Sequence, residues 1–290
     1  MEKIERIQRI CRLLLDEFAH QCSLQGLRWF VDAGTLLGTV RHGGFIPWDD
    51  DIDVIMPRED YNFLYEHGDS IFKEPFCLIT SKNNFGDTLT MRLCYTESTF
   101  IYPRHLSTFY RKDGVHFDIP RGIAMDIVPL DHIPNDPNDR KKLLRFIEFL
   151  YESCTIVDTA CKTNQQRLMY LHDYCKGAEL YNEIMTDINS RYKEFLACTP
   201  WWTFCNSYGA FVNSKCYEEY VEKTFEGCKE KVRVPIGYDE ILKSYYGEYM
   251  IEKPRNINWN LYLVDDTRSY KYYEQYTNED IVKIIKNGGE

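Results

Sequence analysis

The N-terminal part of the chain has the periodicity of an amphipathic helix. From Ile4 to Cys22, apolar side chains recur at helical spacing, and Glu and Arg residues occupy the opposite face. Residues 27–31 have the pattern of a short strand, and residues 33–40 that of a turn entering a short helix, which Gly43-Gly44 ends. The pattern predicts a helix that packs on the core, followed by a strand, a turn and a second helix.

Three later segments have extended patterns. Residues 49–56 begin with acidic side chains, end with apolar ones and are terminated by Pro57, as expected for a strand that enters the core. A second extended region comprises residues 88–95 and 98–102, and a third comprises residues 123–130. These segments predict the strands of a mixed sheet.

The second half of the chain is mostly helical in pattern. The Asp136-Pro137 pair is typical of a helix N-cap followed by proline at the first helical position. Near the end, residues 231–234 predict one more strand and Tyr238–Tyr246 one more helix. The predicted fold class is α/β (α+β), with a soft boundary between a mixed first part, residues 1–135, and a helical part, residues 136–290, or a single domain.

Composition disfavours several classes of protein. The chain of 290 residues has 35 Lys and Arg residues against 45 Asp and Glu residues, which argues against nucleic-acid binding through a basic surface. No apolar run reaches the roughly 18 residues of a membrane helix, and the opening residues are too charged for a signal peptide, so we expect a cytoplasmic protein without a membrane span. The 11 cysteines form no C-x-x-C pair, which predicts reduced core residues.

The acidic run is the first candidate for chemistry. In a strand, Asp49, Asp51 and Asp53 would share one face about 6.7 Å apart, and each ionised neighbouring pair would cost about 2–3 kcal/mol. A bound cation relieves such repulsion, and Mg²⁺, with Mn²⁺ as the alternative, prefers carboxylate and phosphate oxygens. A solvated acidic turn is the competing interpretation, but the run leads into a buried-strand pattern. An EF-hand loop fails, because Val54 and Asp60 stand where it needs glycine and glutamate.

A turn with small residues lies upstream of the acids. Gly34-Thr35 and Gly38 bracket the start of a predicted helix, where free backbone N–H groups and the helix dipole can hold a phosphate. Such a turn is a weak indication alone, because turns need glycine anyway. Together with carboxylates that bind a divalent cation, it indicates transfer of a phosphoryl-type group from a nucleotide.

A third acid from another strand would help to fix the cation. Asp126, isolated between apolar Met125 and Ile127, is the candidate. Asp118 and Asp131 compete with it, although Asp131 stands in a predicted loop, where a turn-capping role is the alternative.

Arg41, His42 and Arg92 are the basic residues that we expect near the phosphates of the substrate, and Trp48 is the aromatic candidate. Arg41 follows the glycine turn, and Arg92 lies in a strand pattern, where a charge without a partner would be costly; a surface position is the alternative for each. His42 could act as a general base, a role that a carboxylate can also fill, so it stays unassigned. Trp48 adjoins the acids, where it could stack on a base or a choline-like cation, or lie in the core.

Several segments of the chain resemble the sequence motifs of a known protein family. Residues 32–61, DAGTLLGTVRHGGFIPWDDDIDVIMPREDY, resemble the signature block of the LicD family, which includes bacterial phosphocholine transferases and resembles the fukutin-type proteins that move ribitol phosphate onto glycans. Three shorter segments are similar to later family motifs: residues 125–131 to D-I-x-P-L-D, residues 232–238 to V-P-x-x-Y and residues 246–249 to Y-G-x-Y. The resemblance spans most of the chain, and residues 135–215 match least.

The resemblance implies a nucleotidyltransferase-like fold, with a G-T/S turn and a D-x-D pair on adjacent elements and a third acid from a later strand. Gly34-Thr35 matches the turn, and Asp51 and Asp53 match the pair. Asp126 matches the third acid, and Asp49 is an additional acid that the family tends to carry. The helical middle, rich in cysteine and tyrosine, departs from the pattern and leaves the acceptor open.

The resemblance also implies a function. It is magnesium-dependent transfer of phosphocholine, or a similar phospho-alcohol, from a CDP-linked donor such as CDP-choline to a sugar hydroxyl of a cell-surface glycan, glycolipid or teichoic-acid precursor, with release of CMP. A lipid-linked acceptor would bring the protein to a membrane surface as a peripheral protein. Two alternatives stay open: a nucleotidyltransferase that transfers the nucleotide itself and releases pyrophosphate, and a non-catalytic relative that binds glycan or metal.

Overall fold

The computed structural model describes residues 2–82, 89–101, 120–160, 164–198, 211–255 and 257–288. The helices are α1 (Lys3–Gln25), α2 (Ala33–Arg41), α3 (Arg58–Ile71), α4 (Pro137–Ala160), α5 (Asn164–Arg191), α6 (Tyr238–Tyr246) and α7 (Asn278–Lys286). The strands are β1 (Phe30–Val31), β2 (Asp53–Pro57), β3 (Phe76–Ile79), β4 (Met91–Tyr95), β5 (Thr99–Ile101), β6 (Ala124–Ile133), β7 (Phe195–Cys198), β8 (Val212–Asn213), β9 (Tyr220–Thr224), β10 (Lys231–Pro235) and β11 (Leu263–Asp265).

The first helix confirms the prediction from periodicity. At its start, the backbone N–H of Glu2 donates to the Glu5 carboxylate at 3.0 Å, and Gly26 ends the helix with φ of 68°. Its apolar face is buried, including Ile7 and Phe18, and it packs on the sheet. Helix α1 therefore covers the sheet that positions the candidate site.

The central sheet has the order β1-β2-β6-β4-β3. Strands β2 and β6 run parallel, with Asp53 opposite Asp126, whereas β4 runs antiparallel to β6 with Arg92 opposite Asp126. Strand β7 pairs with the C-terminal half of β6, and β8 pairs with β7. The register therefore places two acids and one arginine side by side on three neighbouring strands.

The helical part packs on the far end of strand β6. Asp136 caps α4 as predicted, since its Oδ1 atom accepts from the backbone N–H of Asn138 at 2.8 Å. Ile133 of β6 and Ile147 of α4 are buried in one cluster with Tyr181 and Met185 of α5. No helix in the described part of the chain combines the length and apolar character needed to cross a bilayer.

Several predicted elements differ from the structure. The strand predicted over residues 27–31 is reduced to β1, and the strand predicted over residues 49–56 begins only at Asp53. The second half is less helical than predicted, because strands β7, β8 and β9 follow α5 and two of them join the central sheet, whereas β10 confirms the strand predicted over residues 231–234. Residues 88 and 102, predicted as strand ends, lie outside the described residues.

The described cysteines agree with the prediction of reduced thiols. The cysteines whose side chains the structure describes are Cys11, Cys22, Cys77, Cys94, Cys216 and Cys228, and all of these are free. Burial raises the pKa of the Cys94 thiol to about 12, so this group is inert at neutral pH.

Candidate active site

The acids of the run converge with Asp126 in one cleft. Carboxylate oxygens of Asp51, Asp53 and Asp126 lie within 4.8 Å of one another, and so do those of Asp49, Asp50 and Asp51. The cleft has a volume of about 570 Å³ and is lined by all five acids. Five carboxylates in one cleft are a donor set for a hard divalent cation.

Backbone pairing fixes the positions of the two strand acids. The N–H of Asp53 donates to the Thr35 hydroxyl at 2.9 Å, and its carbonyl accepts from the N–H of Asp32 at 3.0 Å. The N–H of Asp126 donates to the carbonyl of Ile52 at 2.8 Å. These bonds tie the ends of α2, β2 and β6 together, so the acids are held on rigid elements.

Asp49, Asp50 and Asp51 lie in a loop before β2, and the predicted alternation of faces is wrong for them. Because no strand directs their side chains to opposite faces, Asp50 joins Asp49 and Asp51 in the cluster. Helix α1 holds this loop, since the Gln8 side-chain amide donates to the carbonyl of Asp49 at 3.0 Å. Sequence reasoning missed Asp50 because it assumed strand geometry from residue 49, whereas the strand begins at Asp53.

The electrostatics of the cluster favour a cation. Burial, followed by the charge of Asp50, raises the pKa of Asp49 to about 7. Burial and then the neighbouring carboxylates raise the pKa values of Asp51 and Asp53 well above their usual range. The buried Oδ2 atom of Asp49 has no hydrogen-bond partner among the described residues. A divalent cation would satisfy this oxygen and offset the repulsion, so the residues fit the metal that the sequence predicts.

Asp126 and Arg92 meet across the sheet. The Arg92 Nε atom donates to Asp126 Oδ1 at 2.9 Å, and both residues line the cleft. Arg92 therefore has the partner that its strand position requires, and that partner is an acid of the cluster. Of the two competitors for the third acid, Asp118 lies outside the described residues.

The other competitor, Asp131, lies elsewhere, and its assignment to a loop is wrong. It is on strand β6, is fully buried and accepts two hydrogen bonds from the Arg58 guanidinium, at 2.7 and 2.6 Å. Asn189 of α5 donates a third bond to it at 2.7 Å. Asp131 thus joins the sheet to α3 and α5 and belongs to the scaffold.

The glycine turn makes room for an acid of the cluster. Gly34 lines the cleft, and a Cβ atom there would lie 2.6 Å from Asp49 Oδ2. The φ of Gly34 is outside the left-handed region, so space rather than backbone conformation requires glycine. Thr35 and Gly38 are buried and do not line the cleft; a Cβ at Gly38 would meet the Gly44 carbonyl at 2.4 Å. The turn therefore packs closely beneath the acids.

This contact gives a test. In Gly34→Ala the added methyl group should displace the Asp49 carboxylate, and we expect the affinity for Mg²⁺ or Mn²⁺ to fall about 10-fold or more, since groups that orient metal ligands have effects of this size. Calorimetric titration of the cation measures it. If the effect acts through Asp49, Gly34→Ala will add nothing in an Asp49→Ala background. Additive losses would contradict the assignment.

The remaining predicted site residues are Trp48, Arg41 and His42, and two of them line the cleft. Trp48 is half-buried. It lines the cleft, as a stacking role requires, and it also packs against the core. Arg41 lines the cleft, and its Nη1 atom donates to the carbonyl of Tyr249 at 2.7 Å. His42 does not line the cleft and accepts from Arg41 Nε at 2.9 Å, while burial and then Arg41 lower its pKa.

The distal wall of the cleft was missed by sequence reasoning. We use this name for residues 245–255, from the end of α6 to the segment that follows it; these residues supply Tyr245, Tyr246, Tyr249, Lys253 and Arg255 to the lining. The Y-G-x-Y motif over residues 246–249 was the available signal. No local pattern marks Lys253 or Arg255, because only the tertiary fold brings them to the same cleft as the acids.

Comparisons with known proteins match part of the chain to a described domain. Residues 26–121 match the sequence model of the LicD/FKTN/FKRP nucleotidyltransferase domain. The lipopolysaccharide cholinephosphotransferase LicD of Haemophilus influenzae is 27% identical over 264 residues, which cover 84% of this chain and 89% of that protein. The human ribitol 5-phosphate transferase FKRP is 28% identical over 138 residues, which cover 41% of this chain and 27% of that protein.

A third relative, an uncharacterized protein of Rickettsia prowazekii, is 33% identical over 101 residues, 27% of this chain and 38% of that protein. The range that matches the domain model, residues 26–121, contains Asp49, Asp51, Asp53 and the glycine turn, whereas Asp126 lies beyond it. The match to the Haemophilus influenzae protein extends the similarity over most of the chain. The resemblance noted in the sequence is therefore confirmed: residues 26–121 match the LicD/FKTN/FKRP nucleotidyltransferase domain, and similarity to the LicD protein spans most of the chain.

Proposed function

We propose that this protein transfers phosphocholine, or a similar phospho-alcohol, from a CDP-linked donor to a sugar hydroxyl of a glycan, and that it requires Mg²⁺. The cluster of Asp49, Asp50, Asp51, Asp53 and Asp126 in one cleft is the observation that carries the proposal. A cation held there would supply positive charge to the phosphates of the donor. The similarity to LicD and FKRP, whose names describe transfer of cholinephosphate and ribitol 5-phosphate, supports the phospho-alcohol.

The cleft has groups suited to the two ends of such a donor. The aromatic rings of Trp48, Tyr246 and Tyr249 line it together with the acids. Aromatic faces attract quaternary ammonium groups and also stack on nucleobases, and carboxylates add to the attraction for a cation. The cleft volume of about 570 Å³ lies within the range of small-molecule and cofactor sites.

The proposed reaction is a displacement at phosphorus. The acceptor hydroxyl oxygen forms a bond to the phosphorus that carries the alcohol, while the bond from that phosphorus to the bridging oxygen breaks. CMP leaves with the electron pair of the broken bond, and the hydroxyl proton passes to a base. The side chains act by binding and orienting the donor, because such transfer depends mainly on positioning and charge stabilisation.

The test is incubation of the full chain with Mg²⁺, a glycan acceptor and a panel of CTP, CDP-choline and CDP-ribitol. We expect release of CMP from a CDP-alcohol that depends on both the cation and the acceptor. Release of pyrophosphate from CTP would instead identify a nucleotidyltransferase. Binding of glycan or metal with neither product would identify a non-catalytic relative.

A further inference from the structure

The distal wall carries two cations that line the same cleft as the acid cluster. Lys253 and Arg255 are exposed, line the cleft and make no hydrogen bond or ion pair with any described residue. Arg255 lines the same cleft as Asp49 and Asp50. These side chains have donors available for a ligand.

The arginines predicted from the sequence are already engaged. Arg92 donates to Asp126 at 2.9 Å, so a carboxylate offsets its charge. Arg41 donates to the carbonyl of Tyr249 at 2.7 Å and to His42 at 2.9 Å. These bonds restrict the positions of both guanidinium groups, whereas Lys253 and Arg255 can turn toward an anion without breaking a protein contact.

The start of the distal wall is anchored at two points. Arg41 of α2 holds the backbone carbonyl of Tyr249, and the Tyr249 hydroxyl donates to Asp239 of α6 at 2.8 Å. The chain then continues directly to Lys253 and Arg255 at the mouth of the cleft. This anchoring limits where the two cations can lie relative to the acids.

We infer that Lys253 and Arg255 bind the diphosphate of the donor from the side opposite the acid cluster, and that Arg41 is a positioning residue that holds the distal wall in place. The inference rests on the proposed function for the identity of the donor. A diphosphate between a carboxylate-bound cation and two basic side chains would have its negative charge balanced on both sides. Arg41 acts through Tyr249 and need not contact the phosphates.

The first test uses magnesium pyrophosphate as the probe, because it carries the diphosphate without the alcohol or the nucleoside. Calorimetric titration of the full chain should show that Lys253→Ala and Arg255→Ala each weaken binding about 10-fold, and the double variant more. Lys229→Ala is the control, because it makes the same charge change at an exposed lysine that does not line the cleft. Equal affinities in all variants, or no binding by the wild type, would overturn the inference.

The second test separates positioning from direct contact at Arg41. If Arg41 acts by holding the distal wall, Arg41→Ala will weaken binding of the probe in the wild type but will add little in a Lys253→Ala, Arg255→Ala background. Additive losses in the two backgrounds would mean that Arg41 contributes to phosphate binding independently of the distal wall, which would contradict the positioning role.

The proposed function can fail independently. If the wild type binds magnesium pyrophosphate through Lys253 and Arg255 but releases no CMP from any CDP-alcohol, the diphosphate site stands and the proposed reaction falls. If CMP is released and neither variant changes the KM for the donor or the affinity for the probe, the reaction stands and the diphosphate site falls.

Discussion

Asp51→Asn or Asp53→Asn is expected to lower turnover by at least about 1,000-fold, which corresponds to about 4 kcal/mol of lost transition-state stabilisation. Each substitution removes one anionic oxygen from a group of three within 4.8 Å, where a divalent cation requires them. CMP release at saturating donor, measured over a range of Mg²⁺ concentrations, is the measurement. Turnover near the wild-type rate in either variant would contradict the metal assignment.

The same variants are expected to stay folded. Burial and neighbouring carboxylates raise the pKa values of both groups, so the ionised acids repel one another in the folded protein without a cation. Asparagine keeps the shape and removes the repulsion, and we therefore expect an unchanged or higher free energy of unfolding without Mg²⁺. Asp187→Asn is the matched control, because Asp187 is exposed on α5, far along the chain from the site, and should keep full activity.

Asp131→Asn should have the largest effect on stability, a loss of about 3–5 kcal/mol in the free energy of unfolding. The Arg58 and Asp131 side chains are 3% and 0% exposed, and the substitution leaves the guanidinium buried without its carboxylate. The Tyr61 and Tyr181 rings, 5.0 and 5.4 Å from the guanidinium, cannot replace a negative charge. Urea denaturation followed by circular dichroism measures the loss.

An exposed ion pair between two residues of α5 provides the comparison for this prediction. Asp187 and Arg191 of α5 form an exposed ion pair, so Asp187→Asn should cost at most about 0.5 kcal/mol. Replacing both partners of the buried pair, as in Arg58→Met with Asp131→Leu, should recover much of the stability because no buried charge remains. A loss below about 1 kcal/mol in Asp131→Asn would contradict the role of this pair.

Local patterns predicted the elements that local forces decide. Helix α1 and helix α6 follow directly from helical periodicity, and the glycine at each C-terminal end has a positive φ. Most of the acid cluster could also be predicted from the sequence. Four of its five members are adjacent or nearly adjacent in the chain, and Asp126 stands out among apolar neighbours. Strand pairing between β2 and β6 then brings the two groups together.

Features that depend on residues distant in the sequence could not be predicted from local patterns. Asp131 resembled a loop residue because a proline follows it closely, whereas its partner Arg58 is 73 positions away in the chain. The cations of the distal wall reach the cleft of the acids only through the tertiary fold, in which Arg41 of α2 bonds the carbonyl of Tyr249. Asp50 was misplaced for a different reason, since the side-chain alternation of a strand does not extend into the loop before it.

Strand β6 has a consequence for any attempt to divide this protein into fragments. One end of the strand carries Asp126 of the acid cluster, and the other carries Asp131, whose neighbours Tyr181 and Asn189 come from α5. A fragment that stops at residue 135 would keep every acid of the cluster but would expose Asp131 and the edge of β6 that β7 covers. An expression fragment of residues 1–135 should therefore aggregate, and a chain shortened for crystallisation should retain α5 and β7.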